Sequence, residues 1–148
     1  MRLNPGFDSR LAVLTLGLLA AFAVSAAPDL PNVRVIATGG TIAGAQASAG
    51  DYGYKSGTYD VNTLIGAVPN LDKLAHITGE QVVNIGSQDM NDEVWLKLAK
   101  SVAAAQASAD VDAIVIMHGT DTLEETSYFL SLVTKSPKPV VMVGSMRP

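Results

Sequence analysis

Val33-Arg34-Val35-Ile36-Ala37-Thr38-Gly39-Gly40-Thr41-Ile42-Ala43-Gly44 is a β-branched run that breaks into a glycine pair. A second stretch does the same: Ala113-Ile114-Val115-Ile116-Met117-His118-Gly119-Thr120-Asp121-Thr122-Leu123-Glu124-Glu125-Thr126. A short, continuously apolar run bounded by turn residues is the pattern of a strand buried on both faces of a parallel sheet. Ligands of open α/β sheets bind beyond the carboxyl ends of the strands. Thr41 and Thr120 therefore fall where chemistry is done, each beside a glycine that lets a ligand approach backbone N–H groups.

Outward from these runs, strand and helix signals alternate. Strand one covers Val33 to Ala37. The stretch from Gly44 to Gly57, rich in Ala, Gly and Ser, reads as a long loop inside the domain. Asp60 to Val68 has Val61, Leu64 and Ile65 on one helical face and is closed by Pro69-Asn70. His76 to Gly79 reads as connection, and Gln81 to Ile85 as a strand that ends in Gly86-Ser87-Gln88. Asn91 or Asp92 suits a helix cap. Val94, Trp95, Leu98 and Val102 then follow at helical spacing as far as about Ser108. Ala113 to Met117 is the second long strand, Glu124 to Thr134 a helix with an acidic first turn, and Pro139 to Val143 a third apolar strand. The expected fold is α/β, a doubly wound parallel sheet. No helix follows the third strand to cover it, so the sheet reads as incomplete.

Composition narrows the function classes. The chain has 148 residues, a formal charge of −4 and no cysteine. An acidic balance argues against a nucleic-acid binder. Without cysteine there is no disulfide, thiolate nucleophile or thiolate metal site. Two isolated histidines add no metal-ligand cluster, so neither metal nor other cofactor is expected. The glycine-rich turn at 38–44 lacks the lysine of a phosphate loop and the spacing of a dinucleotide fingerprint. Arg2 and Arg10 precede an apolar run, Leu11 to Val24, that ends in Ser25-Ala26-Ala27. This is the pattern of a cleaved secretory signal over 1–26. The run falls short of the roughly 20 residues that span a bilayer. The expected division is a signal over 1–26 and one domain over 27–148, with a periplasmic or secreted product and no stable membrane anchor.

Several polar residues converge on the same sheet edge. The Thr41 hydroxyl is a nucleophile once a base takes its proton, with neighbouring N–H groups facing an oxyanion; its plain alternative is a helix N-cap. Thr120 with Asp121 suits binding an ammonium or steering a water, against a capping role for Asp121 or Thr122. Ser87 and Gln88 suit the backbone groups of an amino acid, or form a polar turn. Tyr54, with Tyr52 and Tyr59 as competitors, suits a residue covering Thr41. Backbone carbonyls at Ser145-Met146-Arg147 could receive an amide N–H, with Arg147 as an ion-pair partner. His118 reads as a core histidine rather than a general base.

Taken in order, four stretches resemble the bacterial L-asparaginase and glutaminase-asparaginase family. They are Thr38-Gly39-Gly40-Thr41-Ile42-Ala43, Gly86-Ser87-Gln88-Asp89-Met90-Asn91-Asp92, His118 through Thr126, and Val143-Gly144-Ser145-Met146-Arg147-Pro148. The resemblance runs from about Leu30 to Pro148, and the signal segment fits the secreted type II group. It implies an amidohydrolase that converts L-asparagine to L-aspartate and ammonia through a covalent acyl-enzyme, with L-glutamine as main or second substrate. Thr41 is then similar to the nucleophile and Thr120 to the second catalytic threonine. Asp121 would partner Thr120 and bind the α-ammonium. Ser87 and Gln88 would bind the α-carboxylate and amino group. Tyr54 would contact the nucleophile, and the Ser145 carbonyl would receive the side-chain amide. The family forms homotetramers.

Family chains are about twice as long, and their catalytic lysine matches nothing up to Pro148; Lys135 and Lys138 sit in a connection before the third strand. The expectation is an N-terminal portion of the family's large domain, inactive and poorly folded alone. A periplasmic amino-acid binding module and a truncated gene product are the competing readings.

Overall fold

The computed structural model describes residues 29–46 and 54–145. The expected signal segment, Tyr52, Met146, Arg147 and Pro148 lie outside the described residues. The elements in chain order are β1 (Asn32–Gly39), β2 (Ala45–Gln46), β3 (Tyr54–Lys55), α1 (Val61–Gly66), β4 (His76–Ile85), α2 (Asp92–Ala107), β5 (Ala113–Met117), α3 (Leu123–Val133) and β6 (Val140–Val143). Four strands form one sheet in the order β4-β1-β5-β6, every neighbouring pair parallel. The chain steps from β1 to β4 on one side, then crosses back through α2 to β5 on the other. The winding direction reverses between β1 and β5, and at such a reversal a crevice opens at the strands' carboxyl ends.

The core explains this layering. Ile36, Leu98, Val102, Ile114, Ile116 and Leu130 pack into one cluster that joins the sheet to α2 and α3. Val35, Ala37 and Val61 form a second cluster with Ile65 and Val115 on the opposite face, under α1. Successive residues of β1 thus enter different clusters, so its sequence is apolar throughout instead of alternating. Each fully buried Ile or Leu contributes about 1.5–3 kcal/mol by leaving water. The doubly wound α/β sheet expected from the sequence is the one observed.

Helix starts follow local chemistry. The Asp60 carboxylate accepts from the N–H groups of Asn62 and Thr63 at 2.8 and 3.0 Å and starts α1. The Asn91 side chain accepts from the Val94 N–H at 3.1 Å and starts α2. α1 ends at Gly66, two residues short of the expected Val68. The stretch 44–57 is also more ordered at its ends than a plain loop, because β2 and β3 pair antiparallel there.

The largest departure is β4, which begins at His76 where the sequence suggested a connection up to Gly79. His76, Ile77 and Thr78 pair in parallel with Asn32, Val33 and Arg34. As an edge strand, β4 needs only partial burial, and Thr78 and Gly79 gave no apolar signal. Gly79 is tolerated because α1 crosses over it: a Cβ there would lie 2.9–3.0 Å from side-chain atoms of Asn62, Ile65 and Val61.

The β1–β4 register shifts between Ala37 and Gly39, where Gly39 pairs with Ile85. Gln81 bridges the gap. Its amide donates to the carbonyls of Ala37 (3.2 Å) and Val83 (2.5 Å), and its oxygen accepts from the Val61 N–H at 2.9 Å. The shift falls immediately before the Gly39-Gly40 pair that leads into Thr41.

Candidate active site

The exits of β1 and β5 meet at two glycines. Gly39 and Gly40 have φ of 103° and 77°, a region that L side chains rarely adopt. A Cβ on Gly40 would lie 2.4 Å from both the Cα and the N of Gly119. The two backbones therefore pass each other at a distance only glycine permits. The Gly40 N–H donates to the Ile85 carbonyl at 2.7 Å, and the Gly40 carbonyl accepts from Gly57 at 3.2 Å. The Thr38 hydroxyl donates to the Met117 carbonyl at 3.2 Å and ties the last turns of the two strands together. Thr41, half-buried, opens a three-residue 3-10 turn, Thr41–Ala43, with Gly40 at its cap position. It does not cap a helix.

On the β5 side the turn is held by side chains. Ser87 is buried; its hydroxyl accepts from the Asp121 N–H at 3.0 Å and donates to the Asp121 carboxylate at 3.4 Å. The Ser87 carbonyl accepts from the Thr122 hydroxyl at 2.9 Å. Thr122, at the cap position of α3, makes no side-chain cap bond because its hydroxyl is committed to Ser87. The Asp121 carboxylate stays exposed at the sheet edge, as does Gln88. The exit of β6 lies alongside: a Cβ on Gly144 would lie 3.2 Å from the Thr120 methyl and 3.3 Å from the His118 carbonyl. Ser145, the last described residue, is exposed there. Thr41, Thr120, Asp121, Ser87, Gln88 and Ser145 thus all follow strand ends on one edge of the sheet. Tyr54 contributes its backbone to β3, opposite Gln46; its side chain lies outside the described set. Lys138 lies at the other edge, where its ammonium donates to the carbonyl of Ser108 just past α2.

Beneath this edge runs a buried polar chain that the sequence did not reveal. The Trp95 indole N–H donates to the Thr126 hydroxyl at 2.9 Å. Thr126 Oγ1 lies 3.1 Å from His118 Nε2, and His118 Nδ1 lies 2.7 Å from the Gly119 carbonyl oxygen. A carbonyl only accepts, so Nδ1 carries the proton and Nε2 accepts from Thr126. Burial pushes the His118 pKa below its ordinary value, against the opposing pull of the Gly119 carbonyl and the Glu125 carboxylate. The neutral ring satisfies every group in the chain. Thr126 carried a readable signal: it is a polar residue at a position of α3 that otherwise turns Leu130 to the core.

Comparisons with known proteins show what the whole chain is similar to. A family model described as asparaginase, N-terminal, matches residues 32–148. A probable periplasmic L-asparaginase of Haemophilus influenzae is 56% identical over 95% of this chain and 39% of its own length. L-asparaginase 2 of Escherichia coli is 54% identical over 93% of this chain and 38% of its own. A glutaminase-asparaginase of Pseudomonas fluorescens is 51% identical over 93% and 39%. The crystal structure of a probable cytoplasmic L-asparaginase from Campylobacter jejuni superposes with a TM-score of 0.74 at 51% identity, covering 80% of this chain and 36% of that one. The chain spans about two-fifths of the length of the curated relatives it matches.

Proposed function

The chain belongs to the asparaginase family, and from that premise we propose that it supplies the nucleophile and amino-acid binding groups of an amidohydrolase. The reaction is hydrolysis of L-asparagine to L-aspartate and ammonia, with L-glutamine as a second substrate. Thr41 attacks the side-chain amide carbon, ammonia leaves, and water releases the acyl group from the threonine oxygen. Thr120 with Asp121 forms the second catalytic unit, and Asp121 pairs with the substrate α-ammonium. Ser87 and Gln88 meet the α-carboxylate and amino group; the long Ser87–Asp121 carboxylate bond is the weak one to exchange. Tyr54 approaches Thr41 from the loop, and the Ser145 carbonyl takes the amide N–H. No metal or other cofactor enters this scheme, and nucleic acid has no part in it. The working assembly is a homotetramer, exported to the periplasm by the signal segment 1–26, which is removed to leave the 27–148 portion of the domain.

One observation carries the reading. Two threonine-bearing turns leave adjacent parallel strands at the switch point, with Gly40 and Gly119 in backbone contact. Discrimination between the two substrates is small, since one methylene is worth about 1–3 kcal/mol in a pocket. The test is ammonia release from both amides by the protein expressed from the whole reading frame that carries this sequence, with and without Thr41→Ala. The reading requires turnover that Thr41→Ala removes while amino-acid binding survives. Binding of amino acids without ammonia release would make the protein a binding module instead, and unchanged turnover in Thr41→Ala would remove Thr41 from the chemistry.

A further inference from the structure

The chain from Trp95 through Thr126 and His118 to the Gly119 carbonyl joins α2, α3 and β5, and it is polar throughout a region that is otherwise core. Its direction is fixed. Nδ1 faces the Gly119 carbonyl, which only accepts, so in the neutral ring Nε2 is the acceptor and Thr126 gives it the hydroxyl proton while its oxygen accepts from Trp95. His118 must then donate from Nδ1, and its 2.7 Å contact falls on the carbonyl of the very next residue. The peptide joining Gly119 to Thr120 is planar and trans. Holding its oxygen toward the buried ring turns the Thr120 N–H to the opposite side and sets where the Thr120 side chain begins. Glycine at 119 has no side chain of its own to fix that peptide, and a Cβ there would overlap the Ser87 hydroxyl at 2.4 Å.

We infer that His118 is a positioning residue for Thr120, locked in its Nδ1–H neutral tautomer by Thr126 and Trp95 so that the Gly119–Thr120 peptide keeps one orientation. His118 does not exchange protons with substrate; it acts through the carbonyl it holds. This rests on the proposed role of Thr120, and the test separates the two.

The test compares His118→Asn, His118→Leu and Thr126→Val in the protein expressed from the whole reading frame. The asparagine amide stands where Nδ1–H stands and can donate to the Gly119 carbonyl, whereas leucine fills the volume without a donor. Nitrogen-15 NMR of the wild-type ring should show a protonated Nδ1 and an unprotonated Nε2, a readout that does not depend on turnover. His118→Leu should lower kcat by up to about ten-fold with KM within about two-fold, as misplacement of a catalytic group without loss of binding requires. His118→Asn should restore most of that loss, and Thr126→Val should lie between them. A wild-type ring protonated on Nε2 overturns the tautomer, and with it the inference. Equal kcat in His118→Asn and His118→Leu makes the ring packing alone, and also overturns it. If the ring carries Nδ1–H but wild-type protein releases no ammonia, the amidohydrolase reading fails while the tautomer stands.

Discussion

The two strand exits that deliver the threonines are built by different means. β1 turns out of the sheet through backbone, with positive-φ glycines, a register shift and main-chain bonds from Gly40 to Ile85 and Gly57, while the Gln81 and Thr38 side chains brace only the strand residues before the glycine pair. β5 ends in a turn held by side chains from three other elements: Ser87 after β4, Trp95 on α2 and Thr126 on α3. The first exit cannot relax without moving the sheet, whereas the second can be loosened one side chain at a time. A pair of turns built this way has one fixed member and one that its surroundings tune.

Gly40→Ala is the strongest way to break the comparison. The new Cβ meets Gly119 backbone at 2.4 Å and sits at φ 77°, so strain and overpacking together should cost about 3–5 kcal/mol. Urea unfolding measures it. A loss under about 1 kcal/mol would show that the β1 exit is not the rigid partner.

Gly119→Ala probes the other exit. Here the nearest atoms are the Ser87 hydroxyl and Cβ, at 2.4 and 2.6 Å, and no positive φ is involved. The expected cost is about 2–3 kcal/mol. Ser87→Gly in the same chain should recover a large part of it, as a double-mutant cycle reads. No side-chain substitution should rescue Gly40→Ala, because its clash is with backbone. Additive losses in the Gly119→Ala and Ser87→Gly pair would contradict a side-chain-held turn.

Thr126→Val is isosteric and leaves the indole N–H of Trp95 and Nε2 of His118 without their partner. Each unmet buried group costs, and the expected loss is about 1–2 kcal/mol by the same unfolding measurement. A neutral result would mean that water replaces the hydroxyl and that the polar chain is not sealed.

The same contrast explains what the sequence disclosed. The β1 exit was legible because its cause is local: two consecutive glycines after a β-branched run leave little choice of backbone. β5 and β6 were placed within a residue or so for the same reason, and the cap of α2 at Asn91 follows from one side chain. The start of β4 was not legible, since an edge strand needs no apolar run and its pairing with Asn32–Ala37 is a tertiary fact. The bond set of Ser87 was hidden likewise. Its hydroxyl looks like a free polar group in sequence, yet Asp121, 34 residues on, occupies it. Trp95 fits the apolar spacing of its helix, and nothing local says that its N–H belongs to Thr126.

The smallest expected effect is the one most specific to the β5 exit. His118 titrates below its ordinary value in the folded chain because burial disfavours the charged ring, with the Gly119 carbonyl and the Glu125 carboxylate opposing. In the unfolded chain it titrates near 6.5. Between these two values the unfolded state holds a proton that the folded state lacks, so stability rises with pH across that window. Stability should therefore fall as the pH drops below about 6.5 and level off once it passes the folded value. Among the described residues, the β1 exit from Gly39 to Gln46 has no titrating side chain and should add nothing to this slope. Subtracting the pH profile of His118→Asn from that of the wild type isolates the contribution. A difference that grows more stabilising on acidification would mean that the ring is held charged, with Nε2–H donating to Thr126, which reverses the His118–Thr126 bond while Trp95 still donates to the same oxygen.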